Sequence, residues 1–281
     1  MFPCSRPIVT GPTGLYWISR PIRFTLSKKR SIYIVEPDSS HSRPQQVRRA
    51  SDVSDSFYPM SVDQTSPVKF LNYTPVPLAF GTSGLRGLVK DITDLEAYIN
   101  VKGALRYLLS IADMAPSSKV VLAGDLRPST DRIMRACMQA IFDCGCSVEN
   151  AGKIPTPALV LRAMSNGGAG VMVSGSHIPF DRNGIKINKS IGEILKSDEP
   201  GILREVERVR DQEYSRTAAT SAFNADGMLK QAPNLPLLDR RAEEAYIRRY
   251  TESFTDNGLS GLRVLIYQHS AVGRDILGRL L

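Results

Sequence analysis

The run Gly170-Val171-Met172-Val173, followed at once by Ser174-Gly175-Ser176-His177-Ile178-Pro179, constrains this chain more than any other segment. Such an apolar run suits a strand covered on both faces. Ser174, Gly175 and Ser176 are too small to pack, so the chain can turn sharply after the strand and expose a hydroxyl. Pro179 keeps the residue before it out of a helix. Asn183-Gly184 is a strong turn signal, and Ile185 to Asn188 reads as a short strand that carries Lys186. A serine placed this way, beside His177 and near Lys186, is a candidate nucleophile or phosphoryl carrier. It also has an ordinary reading, because most serines at strand ends only satisfy local backbone groups.

The segments around this unit alternate between strand and helix signals. Thr93-Asp94-Leu95-Glu96 has capping-box spacing, and Leu95, Ile99, Leu105, Leu108, Leu109 and Ala112 follow with a helical period. Lys119 to Ala123 reads as a buried strand with Asp125 and Arg127 just past its end, where open α/β sheets place binding loops. Asp125 and Arg127 are expected to form a structural ion pair rather than to act directly. Ser129 caps a helix with the apolar stripe Ile133, Cys137, Ala140 and Ile141, and Val148 to Ala151 suits another strand. Thr156-Pro157 reads as an N-cap and a first-turn proline. Asp198 to Glu213 reads as a helix with Ile202, Leu203, Val206 and Val209 inward. This alternation predicts a layered α/β/α domain with a mixed sheet over residues 71–214. Residues 215–236, rich in Ala, Ser and Thr, read as a linker or mobile loop. Residues 237–281 begin an incomplete second α/β unit: a helix over Ala242 to Phe254, a strand over Leu262 to Tyr267, and a helix from Arg274.

Residues 1–70 differ in composition from the rest. They are rich in Ser, Pro and Arg and are expected to be a disordered extension, with Met60 as an alternative initiator. Short strands over Leu15 to Phe24 and Ser31 to Val35 have nothing nearby to bury them. The segment is Arg-rich and acid-poor like a transit peptide, but it lacks a clear amphipathic helix. It also explains the net charge of +8. In the first fifty residues Arg6, Arg20, Arg23, Lys28, Lys29, Arg30, Arg43, Arg48 and Arg49 are opposed only by Glu36 and Asp38. The remainder is near balance and has no basic stripe with interleaved aromatics, which argues against a nucleic-acid groove. No apolar run is long enough to span a bilayer, so no membrane partner is expected. Cys4, Cys137, Cys144 and Cys146 lack metal-site spacing and read as reduced thiols of a cytoplasmic protein.

Three further segments bear on the serine. They are Phe80-Gly81-Thr82-Ser83-Gly84-Leu85-Arg86-Gly87, Gly124-Asp125-Leu126-Arg127-Pro128-Ser129 and Gly152-Lys153-Ile154-Pro155-Thr156-Pro157. With the Ser-His loop they stand in the order and rough spacing of the alpha-D-phosphohexomutases, the phosphomannomutase and phosphoglucomutase family. The chain resembles that family from about Phe80 to its C-terminus. The SGSHIP segment is similar to the family's phosphoserine loop, most often written TASHNP, with Ser174 for Thr, Gly175 for Ala and Ile178 for Asn. The two small-for-small changes should keep the turn, whereas Ile178 removes an amide whose contacts are not carried over. The GSHIP spelling followed by DRNGIK resembles the phosphomannomutase branch and favours mannose phosphates.

The resemblance implies an isomerase that moves a phosphoryl group between C1 and C6 of a hexose phosphate, through a hexose 1,6-bisphosphate. Ser176 would be the phosphoserine. His177 would orient the loop or shuttle a proton, although it also reads as a backbone-bonded histidine. Arg86 would stabilise phosphoryl oxygens, or simply pair with a surface carboxylate. Lys186 would act as general acid/base or charge stabiliser, or stand as a solvated strand-edge lysine. Mg2+ would touch the Ser176 phosphate, but the family's DGDxDR-type metal loop does not occur in this sequence. The family has four domains. The first is expected to be complete here and the second barely begun, so little or no turnover is expected of the chain alone. A non-catalytic interaction module built on the same domain is the alternative. A serine hydrolase is disfavoured, because there is no G-x-S-x-G elbow and adjacent Ser and His make poor base geometry.

Overall fold

Alternation along the strands sorts the core into two layers. A computed structural model describes Ile34–Val35 and residues 70–76, 78, 80–81, 84–254, 259 and 261–281. Apart from Ile34–Val35 and Phe70, the expectations for residues 1–70, including the Met60 start and the Leu15 to Phe24 strand, lie outside the described residues. In chain order the elements begin with β1 (Ile34–Val35), β2 (Phe80–Gly81), β3 (Gly84–Leu88), α1 (Asp94–Ser110) and β4 (Lys119–Gly124). Then come α2 (Thr130–Asp143), β5 (Ser147–Lys153), α3 (Thr156–Asn166), β6 (Gly170–Val173) and β7 (Arg182–Lys189). The last are β8 (Gly192–Glu193), α4 (Glu199–Tyr214), α5 (Arg241–Ser253), β9 (Ile266–Tyr267) and α6 (Arg274–Leu280).

The main sheet has the order β2-β3-β7-β6-β4-β5, with β8 paired to β7. It is mixed. β4 is parallel to both β5 and β6, whereas β7 is antiparallel to β3 and β6. Val120 and Leu122 of β4, Val171 and Val173 of β6, and Ile185 and Ile187 of β7 join one apolar cluster with α1, α2 and α4. The intervening Val121, Ala123 and Met172 join the other, with α3 and with Ala242 and Ile276 of α5 and α6. Burying both faces of the central strands in this way gives the expected α/β/α layering. Beyond this domain, β9 pairs in parallel with β1.

Several local expectations are met. Thr93 caps α1, its Oγ1 accepting from the Glu96 N–H at 3.2 Å. The capping box is only half made, because the Glu96 carboxylate turns instead to Arg210 and Tyr214 of α4. Ile133, Cys137, Ala140 and Ile141 are all buried.

Other expectations are corrected. Leu203 is 45% exposed rather than inward, because α4 meets α1 along the narrower stripe Ile202, Val206 and Val209. α3 begins one residue early, with Pro155 as N-cap and no side-chain cap bond, so Thr156 already lies inside it. The strand expected over Leu262 to Tyr267 is confined to Ile266–Tyr267. Asn183-Gly184 is not a turn but lies within β7, opposite Gly87 and Arg86. Gly184 is required there by crowding, since a Cβ would stand 2.5 Å from the Leu85 carbonyl oxygen.

Residues 215–236 do not behave as a free linker. Phe223 is 1% exposed, inside the core that contains α1, and stacks edge-on against Tyr98 at 5.3 Å. The Leu229 N–H donates to Asp94 at 3.0 Å, and the Gly227 carbonyl accepts from the Leu95 N–H at 2.9 Å. The segment thus straps the start of α1, where helix N–H groups lack intrahelical acceptors.

Candidate active site

The parallel strands β4 and β6 end side by side, and the loops that leave them form the site. Asp125 follows β4 directly, and its N–H donates to the Val173 carbonyl at 2.9 Å. Its carboxylate then gathers the surrounding loops. Oδ1 accepts from the Thr130 hydroxyl at 2.6 Å and from the Arg127 N–H at 3.1 Å. Oδ2 accepts from the Gly175 N–H at 2.9 Å and from the Ser174 hydroxyl at 3.1 Å. Burial by itself would raise the Asp125 carboxyl. The bonds from Thr130, the Arg127 and Gly175 N–H groups and Ser174 outweigh it and hold the group below its ordinary value.

From this anchor the serine loop is built residue by residue. The Ser174 N–H donates to the Gly184 carbonyl, and the Ser174 hydroxyl accepts from the Ser176 N–H at 3.0 Å. Ser176 has φ of 53°, in the left-handed region that a non-glycine residue enters at a cost of about 1–2 kcal/mol. Ser176 and His177 are both exposed, with Ser176 Oγ 3.4 Å from His177 Nδ1. The hydroxyl therefore stands clear of the sheet on a loop whose backbone is fixed beneath it.

Arg127 supplies much of that fixing. Its Nε lies 3.4 Å from Asp125 Oδ2, which is the expected ion pair. Its guanidinium also donates to the carbonyls of Ile178 (2.6 Å), Pro179 (2.7 Å), Arg182 (3.0 Å) and Ser176 (3.5 Å). Asn183, fully buried, donates to Ser129 Oγ at 2.9 Å and so ties β7 to the start of α2. Ser129 stands at the N-cap of α2 without making a side-chain cap bond.

Arg86 comes to the base of the same loop. It pairs with Gly184 across β3 and β7. Its Cγ lies 3.4 Å, and the Ser174 carbonyl oxygen 3.1 Å, from the point a Cβ on Gly184 would occupy. Lys186 is on the same face of the sheet as Arg86, two positions along β7, opposite Met172. Arg86 is exposed and Lys186 half-buried, and neither has a hydrogen-bond or ion-pair partner among the described residues. The structure thus places Ser176 and His177 on one loop, with Arg86 on β3 opposite Gly184 at the base of that loop and Lys186 further along β7.

Sequence reasoning missed the reach of Arg127 and the parts played by Thr130 and Asn183. One local signal was available. An aspartate at a strand end whose carboxylate takes the N–H two residues on is an Asx turn, and the Asp-x-Arg spelling fits it.

Among the described residues no three His, Cys, Asp or Glu side chains gather in a cluster able to hold a metal. Asp125, the carboxylate that touches the loop, is fully engaged by its donors. The described residues by themselves therefore do not fit Mg2+. Among them no helix is long and apolar enough to cross a membrane.

Residues 77–213 match the family model described as phosphoglucomutase/phosphomannomutase, alpha/beta/alpha domain I. A phosphomannomutase of Sinorhizobium fredii (strain NBRC 101917 / NGR234) is 37% identical over 202 residues, which is 72% of this chain and 40% of that protein. A phosphomannomutase of Salmonella muenchen is 36% identical over 197 residues, 70% of this chain and 37% of that protein. A phosphoglucosamine mutase of Thermosipho africanus (strain TCF52B) is 27% identical over 187 residues, 66% of this chain and 38% of that protein. The chain thus spans about two fifths of the length of these relatives. Residues 77–213 are thus an alpha/beta/alpha domain I of the phosphoglucomutase/phosphomannomutase family.

Proposed function

We propose that this chain provides the phosphoryl-carrying domain of a phosphohexomutase, with Ser176 as the carrier and mannose 1-phosphate and mannose 6-phosphate as the favoured pair. The observation that supports this best is the exposed Ser176 hydroxyl on a strained loop at the end of β6, held from below by Asp125 and Arg127. The choice of mannose draws on the two phosphomannomutase relatives and the GSHIP spelling.

In this reading a hydroxyl oxygen of the hexose phosphate attacks the phosphorus on Ser176. The sugar O–P bond forms as the Ser176 Oγ–P bond breaks, and the hydroxyl proton passes to a base while the serine oxygen regains one. After the hexose 1,6-bisphosphate reorients, the reverse step moves its other phosphoryl group to Ser176. A phosphoserine carries a charge of about −1.5 to −2 near neutral pH, so positioning and cations dominate the barrier. Arg86 opposes charge on the phosphoryl oxygens, and His177 or Lys186 handles the proton. Mg2+ is the proposed cofactor in this reading and would offset charge at the Ser176 phosphate, held by carboxylates that the described residues by themselves do not supply.

The test is phosphopeptide mapping of the chain after incubation with glucose 1,6-bisphosphate and Mg2+. Phosphate on Ser176, abolished in Ser176→Ala, is the expected result. No phosphate on Ser176 would overturn the carrier reading and leave a non-catalytic interaction module in its place.

A further inference from the structure

Arg127 lies beneath the serine loop, with its side chain largely covered. The four carbonyls it engages, from Ser176, Ile178, Pro179 and Arg182, converge on one planar fork from different points of a seven-residue arc. A guanidinium has five donors in fixed directions and suits such convergence, whereas an ammonium offers only a point charge. No peptide in the described residues is cis. In a trans peptide the C=O and the following N–H point opposite ways. Turning the Ser176 and Pro179 carbonyls down onto Arg127 therefore turns the N–H groups of His177 and Phe180 outward. Neither N–H has an acceptor among the described residues. The His177 N–H directly follows the exposed Ser176 and the Phe180 N–H lies three residues further along the same loop, and outward backbone N–H groups can serve as anion ligands.

Gly175 makes the arrangement possible. A Cβ at that position would stand 2.2 Å from Arg127 Nε and 2.4 Å from its Cζ. The guanidinium therefore crosses the loop through the space that a side chain would fill.

We propose that Arg127 is a positioning residue which, seated against Gly175, turns the carbonyls of the 176–182 loop inward and presents the His177 and Phe180 N–H groups to a phosphoryl group on Ser176. The role in phosphoryl transfer rests on the carrier reading above. The role in shaping the loop does not.

The experiment has two arms so that the two failures separate. In the first, amide hydrogen exchange is compared in the chain and in Arg127→Ala, Arg127→Lys and Gly175→Ala. The amides of Gly175, Ser176, Ile178 and Arg182, all bonded within the loop network, are expected to exchange at least about tenfold faster in each variant. Exchange in α1 and β4 should change less than about twofold. Guanidinium at about 20 mM, far below denaturing levels, should restore protection in Arg127→Ala. Unchanged loop exchange, full protection in Arg127→Lys, or a uniform rise across the domain would overturn the proposal. A neutral Gly175→Ala would overturn the seating against Gly175.

In the second arm, phosphate loading of Ser176 from glucose 1,6-bisphosphate is timed. Arg127→Ala should load at least about tenfold more slowly and recover with guanidinium. Loading at the parent rate would overturn the transfer role. If the parent chain does not load at all, the carrier reading fails, and the first arm still decides whether Arg127 shapes the loop.

Discussion

Replacing Asp125 by asparagine tests whether one carboxylate holds the serine loop. The change keeps the shape and removes the charge. Each Asp125 oxygen faces a backbone N–H that can only donate, Oδ1 that of Arg127 and Oδ2 that of Gly175. Whichever way the new amide is turned, its NH2 group meets one of them. The Thr130 and Ser174 hydroxyls can rotate to adapt, but the backbone donors cannot. A hydrogen bond to a charged acceptor contributes about 1.5–3 kcal/mol, and a stranded buried donor costs about 1–3 kcal/mol. Relief from burying a charge offsets part of this, leaving an expected loss of about 3 kcal/mol. For a domain of this size that lowers Tm by about 6–12 °C. Urea and thermal denaturation of Asp125→Asn against the parent measure it. A loss below about 1 kcal/mol would refute the view that these bonds hold the loop. The pH dependence gives a second reading. A carboxyl held low in the folded state contributes stability that is complete above its unfolded value of about 3.9 and disappears as pH falls through the lower folded value. The gap between parent and variant should therefore be constant near neutrality and close only in that acid window.

Three further outcomes follow from the geometry. Ser176→Ala should stay within about 0.5 kcal/mol of the parent in denaturation, since the hydroxyl is exposed and its bond to His177 is long, so lost phosphate loading could not be blamed on unfolding. Gly184→Ala should cost about 3 kcal/mol in the same assay, because the new Cβ meets the backbone carbonyl oxygens of Leu85 and Ser174, which cannot swing aside. Phe223→Ala should cost about 3–5 kcal/mol and expose residues 215–236 to limited proteolysis, where a true linker would tolerate the change.

The layering was legible because periods of two and of about 3.6 are written in side-chain polarity. β4 and β6 are apolar on both faces, and α2 carries one stripe. Leu203 misled because hydrophobicity marks which residues can be buried, not how wide the facing helix is. Asn183-Gly184 misled because the same pair serves two needs, left-handed turns and close backbone approach, and here the second applied. The strap over residues 215–236 was hidden by its composition, since it is held by one buried ring and by backbone bonds that leave no pattern of residue types. In the site, Ser176, His177 and Arg86 were legible through their motifs. Arg127 was legible only as a partner for Asp125. Its other partners are carbonyls about fifty residues away in the chain, and a carbonyl has no residue identity to read.

The pairing of β3 with β7 fixes when the site comes into being. Arg86 finds Gly184 only after roughly a hundred more residues have been made, and Asp125 waits about fifty for Ser174. At about 5–20 residues per second, Arg86 leaves the ribosome on the order of 5–20 s before its partner strand. Helices and short turns form in microseconds, so the delay belongs to topology and not to local structure. Ser176 thus gains its surroundings in the same event that closes the sheet. A nascent chain stalled before β7 has the residues of its opening motif but lacks the strand against which Arg86 is placed, which ties assembly of the Ser176 loop to completed synthesis of the domain.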